Sequence, residues 1–556
     1  MMRKRLHLFC VCVLLLCGQA AAQSDHNFEV AKYLDIFNAI YRQLDVNYVD
    51  SLDPKKTLGT SITVTLMQLD PYTEYYTEES KEDLRTMTTG KYAGIGASIR
   101  FSEKEQRCSI SLPFQNMPAD RAGLRPGDII LSIDGQDLLY KGEGSKADFS
   151  EMVSSKLRGE PGTTFELRVM RGDQRKTLLV KLTRENVVRP SVPYSRLLPD
   201  STGFVVISQF IEGTSADVRH AVIQLKKQGM KRLIIDLRDN PGGLVEEAVN
   251  TVSLFVPRGR EVVHIKGKSW ASQRSFVTKL EPLDKDMPLV VLVNSSSASA
   301  AEIMSGALQD YDRAVVIGER TYGKGLVQQS AELPYGAVLK YTVGKYYIPS
   351  GRCVQAYKFE DGEPIHLADS LTKAFSTAAG RTVRDGGGIT PDLIVREDSI
   401  SQFATSVNET EQFLDFCSHY RNTHSSIGPA ADFRLTDADY EAFCQYMKQS
   451  DFRYERNSLK LLEALRAMVH REGLENVVGR ELDSLEHAIK QDNDYEFKRW
   501  ESELRYLLES IIVFYYYYEP GVYDYLLPRT HVIQRAIEVV RDSHLMHKLL
   551  SGEPEA

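Results

Sequence analysis

The sequence predicts an α/β protein with a β-rich module inserted ahead of the α/β core and helical segments at both ends. Three observations carry this. Between Gly203 and Glu319, short continuous apolar runs alternate with amphipathic stretches, the pattern of buried parallel strands joined by helices. From Lys91 to Leu182 the apolar runs are shorter and separated by Gly turns, as in a compact β module. On either side of these regions apolar residues recur at helical spacing. The chain has 556 residues; at roughly 100–200 residues per domain it holds three or four folded units. Hydrophobic residues make up 42% and charged residues 26%, which excludes wholesale disorder and a fibrous repeat. A net charge of −8 gives no general attraction to nucleic acid.

Taken in order, residues 1–22 read as a signal peptide. Arg3, Lys4 and Arg5 precede an apolar stretch over 8–17, and Ala20, Ala21 and Ala22 supply the small residues of a cleavage site. The apolar stretch falls well short of the ~20 residues that span a bilayer, so cleavage near Gln23 is expected in place of a transmembrane anchor. Leu16 before Cys17 disfavours a lipid-modified cysteine. Cys108, Cys353, Cys417 and Cys444 remain after cleavage. They have no CxxC spacing, so no metal site is expected, while a Cys417–Cys444 disulfide stays open.

Residues 23–90 form an N-terminal helical segment with Tyr33, Ile36, Phe37, Ile40, Tyr41 and Leu44 at helical spacing, broken at Leu69-Asp70-Pro71-Tyr72. Residues 91–184 form the β module, with strands expected at 95–99, 108–112, 129–133, 165–170 and 177–182. Residues 185–397 form the α/β core: strands at 204–207, 233–237, 289–293 and 315–317, helices at 215–227, 244–255 and 299–309, a hairpin at 335–343 and a Gly-rich turn at 385–391. Residues 398–556 form a helical C-terminal extension. Two core stripes are expected there, Leu462, Leu465, Met468 and Val469, then Trp500, Leu504, Leu507, Leu508 and Ile511. The aromatic run Phe514-Tyr515-Tyr516-Tyr517-Tyr518 is expected to pack on the α/β core.

Three segments carry chemistry. In Asn294-Ser295-Ser296-Ser297-Ala298-Ser299-Ala300-Ala301-Glu302 a serine sits where a strand turns into a helix. The first N–H groups of that helix lack intrahelical partners and its dipole favours negative charge, which suits a developing oxyanion; the alternative is a set of serines that only cap the helix. In Thr321-Tyr322-Gly323-Lys324-Gly325 a lysine lies between glycines, where burial of its amine would make it a general base. A solvated surface lysine has the same local sequence, whereas a phosphate-binding loop lacks its GxxxxGK[ST] context here. Asp236-Leu237-Arg238-Asp239-Asn240-Pro241-Gly242-Gly243 follows a core strand at the end where α/β sheets bind ligands, and reads either as an oxyanion donor loop or as a tight turn. No histidine accompanies these segments, so a His-based triad has no base.

With these residues in place the chain resembles the C-terminal processing peptidases, or tail-specific proteases, over residues 28–392. The ordered motifs are Leu69-Asp70-Pro71-Tyr72, Asn240-Pro241-Gly242-Gly243, Ser297-Ala298-Ser299-Ala300, Gly323-Lys324-Gly325, Pro349-Ser350-Gly351-Arg352 and Gly388-Ile389-Thr390-Pro391-Asp392. The resemblance implies a crotonase-like α/β protease core with an inserted PDZ domain and no cofactor. It implies Ser299 as nucleophile, Lys324 as general base, Gln328 orienting the lysine, and oxyanion donors at the N–H of Ala300 and of Gly242 or Gly243. Asp310 matches an acidic position for which a structural role is at least as good a reading. Residues 91–182 are similar to a PDZ domain, with Tyr92, Gly94, Ile95, Gly96 and Leu124 as peptide-binding residues and the helix at 149–157 lining the groove. The implied function is a serine endopeptidase, exported to a bacterial periplasm, that acts on proteins or peptides with free C-termini; homo-oligomerisation stays open. Ala301 departs from relatives that carry a serine there, and the extension has no implied catalytic role. Two readings of other classes compete: a catalytically silent PDZ-containing binding protein, against which Ser299, Lys324 and Gln328 argue, and an enoyl-CoA-type enzyme on the same fold, against which the PDZ-like insert and signal peptide argue.

Overall fold

The computed structural model describes residues 2–552 apart from 79, 173, 270–272, 361, 367, 398, 451 and 491–492; the side chains of residues 2–24, 82, 83, 369 and 493 are not described. The expected signal peptide therefore lies outside the residues described in full. The chain falls into two compact units, Met1–Tyr75 with Phe359–Glu363, and Tyr76–Lys358 with Pro364–Ala556.

The first unit contains helices α1 (Met2–Asn47) and α2 (Pro54–Met67). Asp53 caps α2 by accepting the Lys55 and Lys56 N–H groups, with Pro54 at the first helical position where no intrahelical donor is needed. The Leu69-Asp70-Pro71-Tyr72 break is an Asx turn: the Asp70 carboxylate accepts N–H bonds from Tyr72 (2.9 Å) and Thr73 (2.8 Å).

In the second unit the β module is a twisted antiparallel sheet in the order β1 (Ala97–Ser102), β2 (Arg107–Pro113), β3 (Ile129–Ile133), β4 (Thr164–Arg171), β5 (Lys176–Thr183), with helix α3 (Lys146–Leu157) across it. Strand β4 buries Phe165, Leu167 and Val169 and exposes the residues between, the alternation of a sheet with one dry face. A two-stranded ribbon, Lys91–Gly94 against Glu185–Val188, leads into and out of the module.

The α/β core has β6 (Tyr194–Leu197), β7 (Thr202–Val206), α4 (Thr214–Lys227), β8 (Arg232–Asp236), α5 (Val245–Val252), β9 (Leu289–Val293), α6 (Ala300–Asp310), β10 (Val315–Gly318), a hairpin of β11 (Leu326–Glu332) and β12 (Val338–Tyr347), and β13 (Leu393–Ile394). Its six-stranded sheet runs β6-β7-β8-β9-β10-β13, parallel except for the antiparallel edge strand β6. Strands β7 and β9 are buried on both faces, which is why they read as unbroken apolar runs. Helices α4, α5 and α6 cover one face. The hairpin lies either side of a turn at Pro334–Gly336, not over 335–343 as expected: Tyr335 is its apex, 96% exposed with a positive φ of 60°.

The extension includes α7 (Glu411–Thr423), α8 (Asp437–Gln449), α9 (Glu501–Leu526), α10 (His531–Arg541) and α11 (Ser543–Ser551). Helix α9 breaks at Tyr518 (φ 57°), two residues before Pro520, whose missing N–H cannot continue the ladder. The extension builds a core of its own around Phe413, Phe443, Leu504, Leu508 and Ile512. Its last helices do something else: Val532, Ile533, Val539 and Val540 of α10 and Met546 of α11 cover the second face of the α/β sheet against Phe204, Ile234, Val290 and Ile317.

Two expectations for the extension are corrected, and the open question of its cysteines is answered. Leu465 and Met468 are 45% and 55% exposed, because Asn457–Glu472 and Glu475–Ile489 pair with each other around only Leu462, Val469 and Leu482. The aromatic run packs within the extension through Tyr515 and Tyr516, and the Tyr518 hydroxyl donates to Asp120 of the β module (2.5 Å) rather than meeting the α/β core. Cys417 and Cys444 are free thiols buried on α7 and α8.

Candidate active site

Ser299 stands at the N-cap of α6 with φ 54° and ψ −113°, a conformation that costs a non-glycine residue ~1–3 kcal/mol and persists only where its surroundings hold it. They do so from several sides. The Ser297 hydroxyl donates to the Leu237 carbonyl (2.7 Å), the Ala298 N–H to the Asn240 carbonyl (2.9 Å), and the Asn240 amide to the Ile207 carbonyl (2.7 Å). The serine turn and the Asn240-Pro241-Gly242-Gly243 loop are thereby braced together at the C-terminal ends of β8 and β9. Gly242 lies so close that a Cβ on it would stand 2.7 Å from the Ser299 Cβ and 2.9 Å from the Ala300 nitrogen.

The two candidate oxyanion donors in that loop differ. Gly242 already donates its N–H to the Asn240 side chain (2.8 Å), whereas the N–H groups of Gly243 and Ala300 have no hydrogen-bond partner among the described residues. Ala300 is the first residue of α6, where the helix leaves its N–H free.

Lys324 is half-buried and lies on the segment between β10 and β11. Its flanking glycines permit close packing on the neighbouring segment. A Cβ on Gly323 (φ 86°) would meet the Ala356 Cβ at 2.4 Å, and one on Gly325 would meet the Gln355 nitrogen at 2.7 Å. The Gln328 side chain donates to the Thr342 hydroxyl (3.2 Å) across the hairpin. Asp310, at the far end of α6, is buried, accepts the Ser350 N–H (2.9 Å) and pairs with buried Arg352 (2.9 Å), a structural arrangement.

Sequence reading missed Glu302. Its carboxylate is fully buried and joins the serine turn to the lysine segment: Oε2 accepts the N–H of Ser299 (2.8 Å) and of Lys324 (2.9 Å), while Oε1 accepts the Thr321 hydroxyl (2.6 Å) and the Gly323 N–H (2.7 Å). The signal was present in the spacing, since a Ser followed three residues later by Glu before a helix is a capping-box pattern. Burial pushes the carboxyl up to about 7 against the downward pull of its four donors. An acid whose folded pKa is raised from 4.5 contributes most to stability below that value and loses the contribution as pH rises through 7. Glu302→Gln should therefore remove about 3 kcal/mol of pH dependence. In urea unfolding, wild type should lose about 2 kcal/mol of this relative to the variant between pH 5 and pH 7.5; parallel pH dependences would refute it.

Tyr346, at the end of β12, was also missed. Its hydroxyl faces the Lys324 carbonyl at 2.5 Å and the Ser299 carbonyl at 3.1 Å. Beyond the glycine loop a cleft of about 460 Å³ opens, lined by Leu244, Val245, Ile265, Phe276, Val327 and Gln328.

In the β module, Gly94 lies in the ribbon opposite Glu185, and Gly96 (φ 69°) packs so tightly on Met117 that a Cβ would stand 2.3 Å away. Ile95 and Leu124 are 2% and 3% exposed and belong to the module's core. Their side chains face inward rather than into an open groove, so any apolar contact with a ligand must come from their neighbours. Tyr92 is half-buried, and burial raises its phenol. A cavity of about 810 Å³ opens beside it, bordered by Arg85, Lys91, Ala93, Arg158 and Asn186. Among the described residues no group of side chains is arranged to hold a metal ion, and no helix is long and apolar enough to cross a membrane.

Residues 201–363 match the model of peptidase family S41, residues 94–182 that of a PDZ domain, and residues 403–540 that of a probable PDZ-protease C-terminal helical domain. A probable CtpA-like serine protease of Staphylococcus aureus is 35% identical over 317 residues, 57% of this chain and 61% of the relative. One from Staphylococcus epidermidis is 33% identical over 334 residues, 60% of this chain and 65% of the relative. The chain thus spans about six-tenths of the length of these relatives. The solved structure of a photosystem II D1 C-terminal processing protease is similar at 27% identity, covering 64% of this chain and 85% of that one with a TM-score of 0.35. Residues 201–363 are thus an S41 peptidase segment that carries the serine and lysine motifs, with a PDZ domain before it and a PDZ-protease helical domain behind it.

Proposed function

We propose that this protein is an exported serine endopeptidase that cuts proteins near their C-termini, with Ser299 as nucleophile and Lys324 as general base. The observation that carries the reading is the shared carboxylate of Glu302, which holds the backbone N–H of Ser299 and of Lys324 on one oxygen. In the reaction, Ser299 Oγ attacks the scissile carbonyl carbon as its proton passes to the neutral Lys324 amine. The oxyanion that forms takes the N–H groups of Ala300 and Gly243, with the α6 dipole behind the first. The ammonium of Lys324 then protonates the leaving amine, the C–N bond breaks and an acyl-enzyme remains. Water, deprotonated by Lys324, attacks the ester and releases the new C-terminus with Ser299 restored. Gln328 orients the lysine through its amide oxygen, since its NH₂ is engaged with Thr342.

The PDZ domain selects the substrate by its tail. Such domains add an extended peptide as a strand and hold its terminal carboxylate on backbone N–H groups. Strand β1 lies at the open edge of its sheet, where an added strand can pair. Cleavage should need a free C-terminus with an apolar last residue. Amidation removes that charge, so a peptide amide should be cut about 5–150-fold more slowly than its free-acid twin at subsaturating concentration, a loss of ~1–3 kcal/mol in binding. Equal cleavage of the pair would overturn tail recognition and leave the dyad standing.

A further inference from the structure

We propose that Tyr346 is a positioning residue of the dyad, whose hydroxyl fixes the separation of nucleophile and base by holding the carbonyl groups of Ser299 and Lys324. The inference rests on the assignment of those two residues in the proposed function. Ser299 and Lys324 lie on separate segments, one opening α6 and the other leading into β11, and their reaction requires the two side chains to meet. Glu302 joins the segments through their N–H groups. Tyr346 joins them through the opposite side of the peptide: its hydroxyl stands 2.5 Å from the Lys324 carbonyl oxygen and 3.1 Å from that of Ser299. Each residue of the dyad is therefore gripped at both its N–H and its C=O by the same two side chains.

A phenol has one proton, so at any instant it donates to a single carbonyl. The shorter distance makes Lys324 the main acceptor, and the Ser299 carbonyl shares the proton more weakly. The phenol itself is well anchored. Tyr346 is 1% exposed in the core, its ring packs in the cluster that includes Ile303 and Val354, and its N–H donates to the Gly325 carbonyl (3.0 Å), one residue from the carbonyl that its hydroxyl holds. A hydroxyl fixed at both its ring and its backbone constrains what it binds, whereas one on a mobile side chain would follow it. The strained backbone of Ser299 makes this grip consequential, because a residue with φ 54° relaxes when its restraints are removed.

A positioning role and a filling role predict different kinetics. If the ring only fills the core, Tyr346→Phe keeps wild-type turnover. If the hydroxyl only stabilises the fold, the variant melts lower but turns over normally well below its melting temperature. If it positions the dyad, kcat falls about 10–100-fold while KM stays within about twofold, because misplacement by the order of an ångström costs about that much in rate without touching substrate binding. The test measures kcat and KM on a peptide with a free apolar C-terminus for wild type, Ser299→Ala, Tyr346→Phe, and p-aminophenylalanine at position 346, which restores a donor in the same place. The expected result is a silent Ser299→Ala, a Tyr346→Phe with depressed kcat and unchanged KM, and recovery of most of the loss by the amine. Should Tyr346→Phe not fold, p-fluorophenylalanine, which has the bulk of tyrosine without its donor, takes its place. Wild-type kcat in the donorless protein, or no recovery by the amine, overturns the positioning role. Cleavage surviving in Ser299→Ala instead overturns the dyad itself, so the two failures are distinct.

Discussion

Ser299→Ala and Lys324→Ala should each reduce peptide cleavage to background, a loss on the order of 10⁴-fold or more, with the melting transition retained. Removal of one member of a nucleophile–base pair leaves only the contribution of the oxyanion site and substrate binding. Lys324→Arg should be as inactive as alanine despite keeping the charge, because a guanidinium does not give up its proton near neutral pH. Cleavage in either alanine variant at more than about a hundredth of the wild-type rate would remove the dyad assignment, given the size of the expected loss.

A chain ending at residue 529, which lacks α10 and α11, should fail to give soluble, cooperatively folded protein. Val532, Ile533, Val539, Val540 and Met546 are buried against the second face of the parallel sheet. At about 1.5–3 kcal/mol for each fully buried side chain, their loss removes about 10 kcal/mol as an upper estimate, comparable with the whole stability of an ordinary domain, about 5–15 kcal/mol. The bare face of Phe204, Ile234, Val290 and Ile317 would then promote aggregation. Solubility, dye binding to exposed apolar surface and a thermal melt check this. A truncated protein melting within a few degrees of the full chain would show that the last two helices are dispensable.

The α/β core was legible because its strands are buried on both faces: Leu289–Val293 reads from the sequence as the strand it forms. The partners of that sheet were not legible. The covering helices α10 and α11 lie far along the chain, and an amphipathic helix announces that it has a buried face without naming what it is buried against. The same limit explains Leu465 and Met468, whose spacing was that of a core stripe although the two-helix pair that carries them has too little surface to bury them. In the candidate site, the serine, lysine and glycine motifs stood out as local patterns. Glu302 was missed although its spacing from Ser299 was readable, and Tyr346 left no trace because its role depends on where β12 passes the end of α6. The choice between Gly242 and Gly243 depended on the side chain of Asn240, a contact only the folded loop displays.

The placement of α10 and α11 also sets a schedule for the ribosome. Every residue of the serine, lysine and glycine motifs is made before the helices that close the back of their sheet, and a β sheet with one bare face is not a stable platform for a strained turn such as that at Ser299. These motifs are therefore complete in sequence long before their surroundings are complete in structure. The second face of the sheet is covered only when residues 531–551 have emerged and docked, so a nascent chain carries these motifs through most of its synthesis on a sheet that is bare on one side.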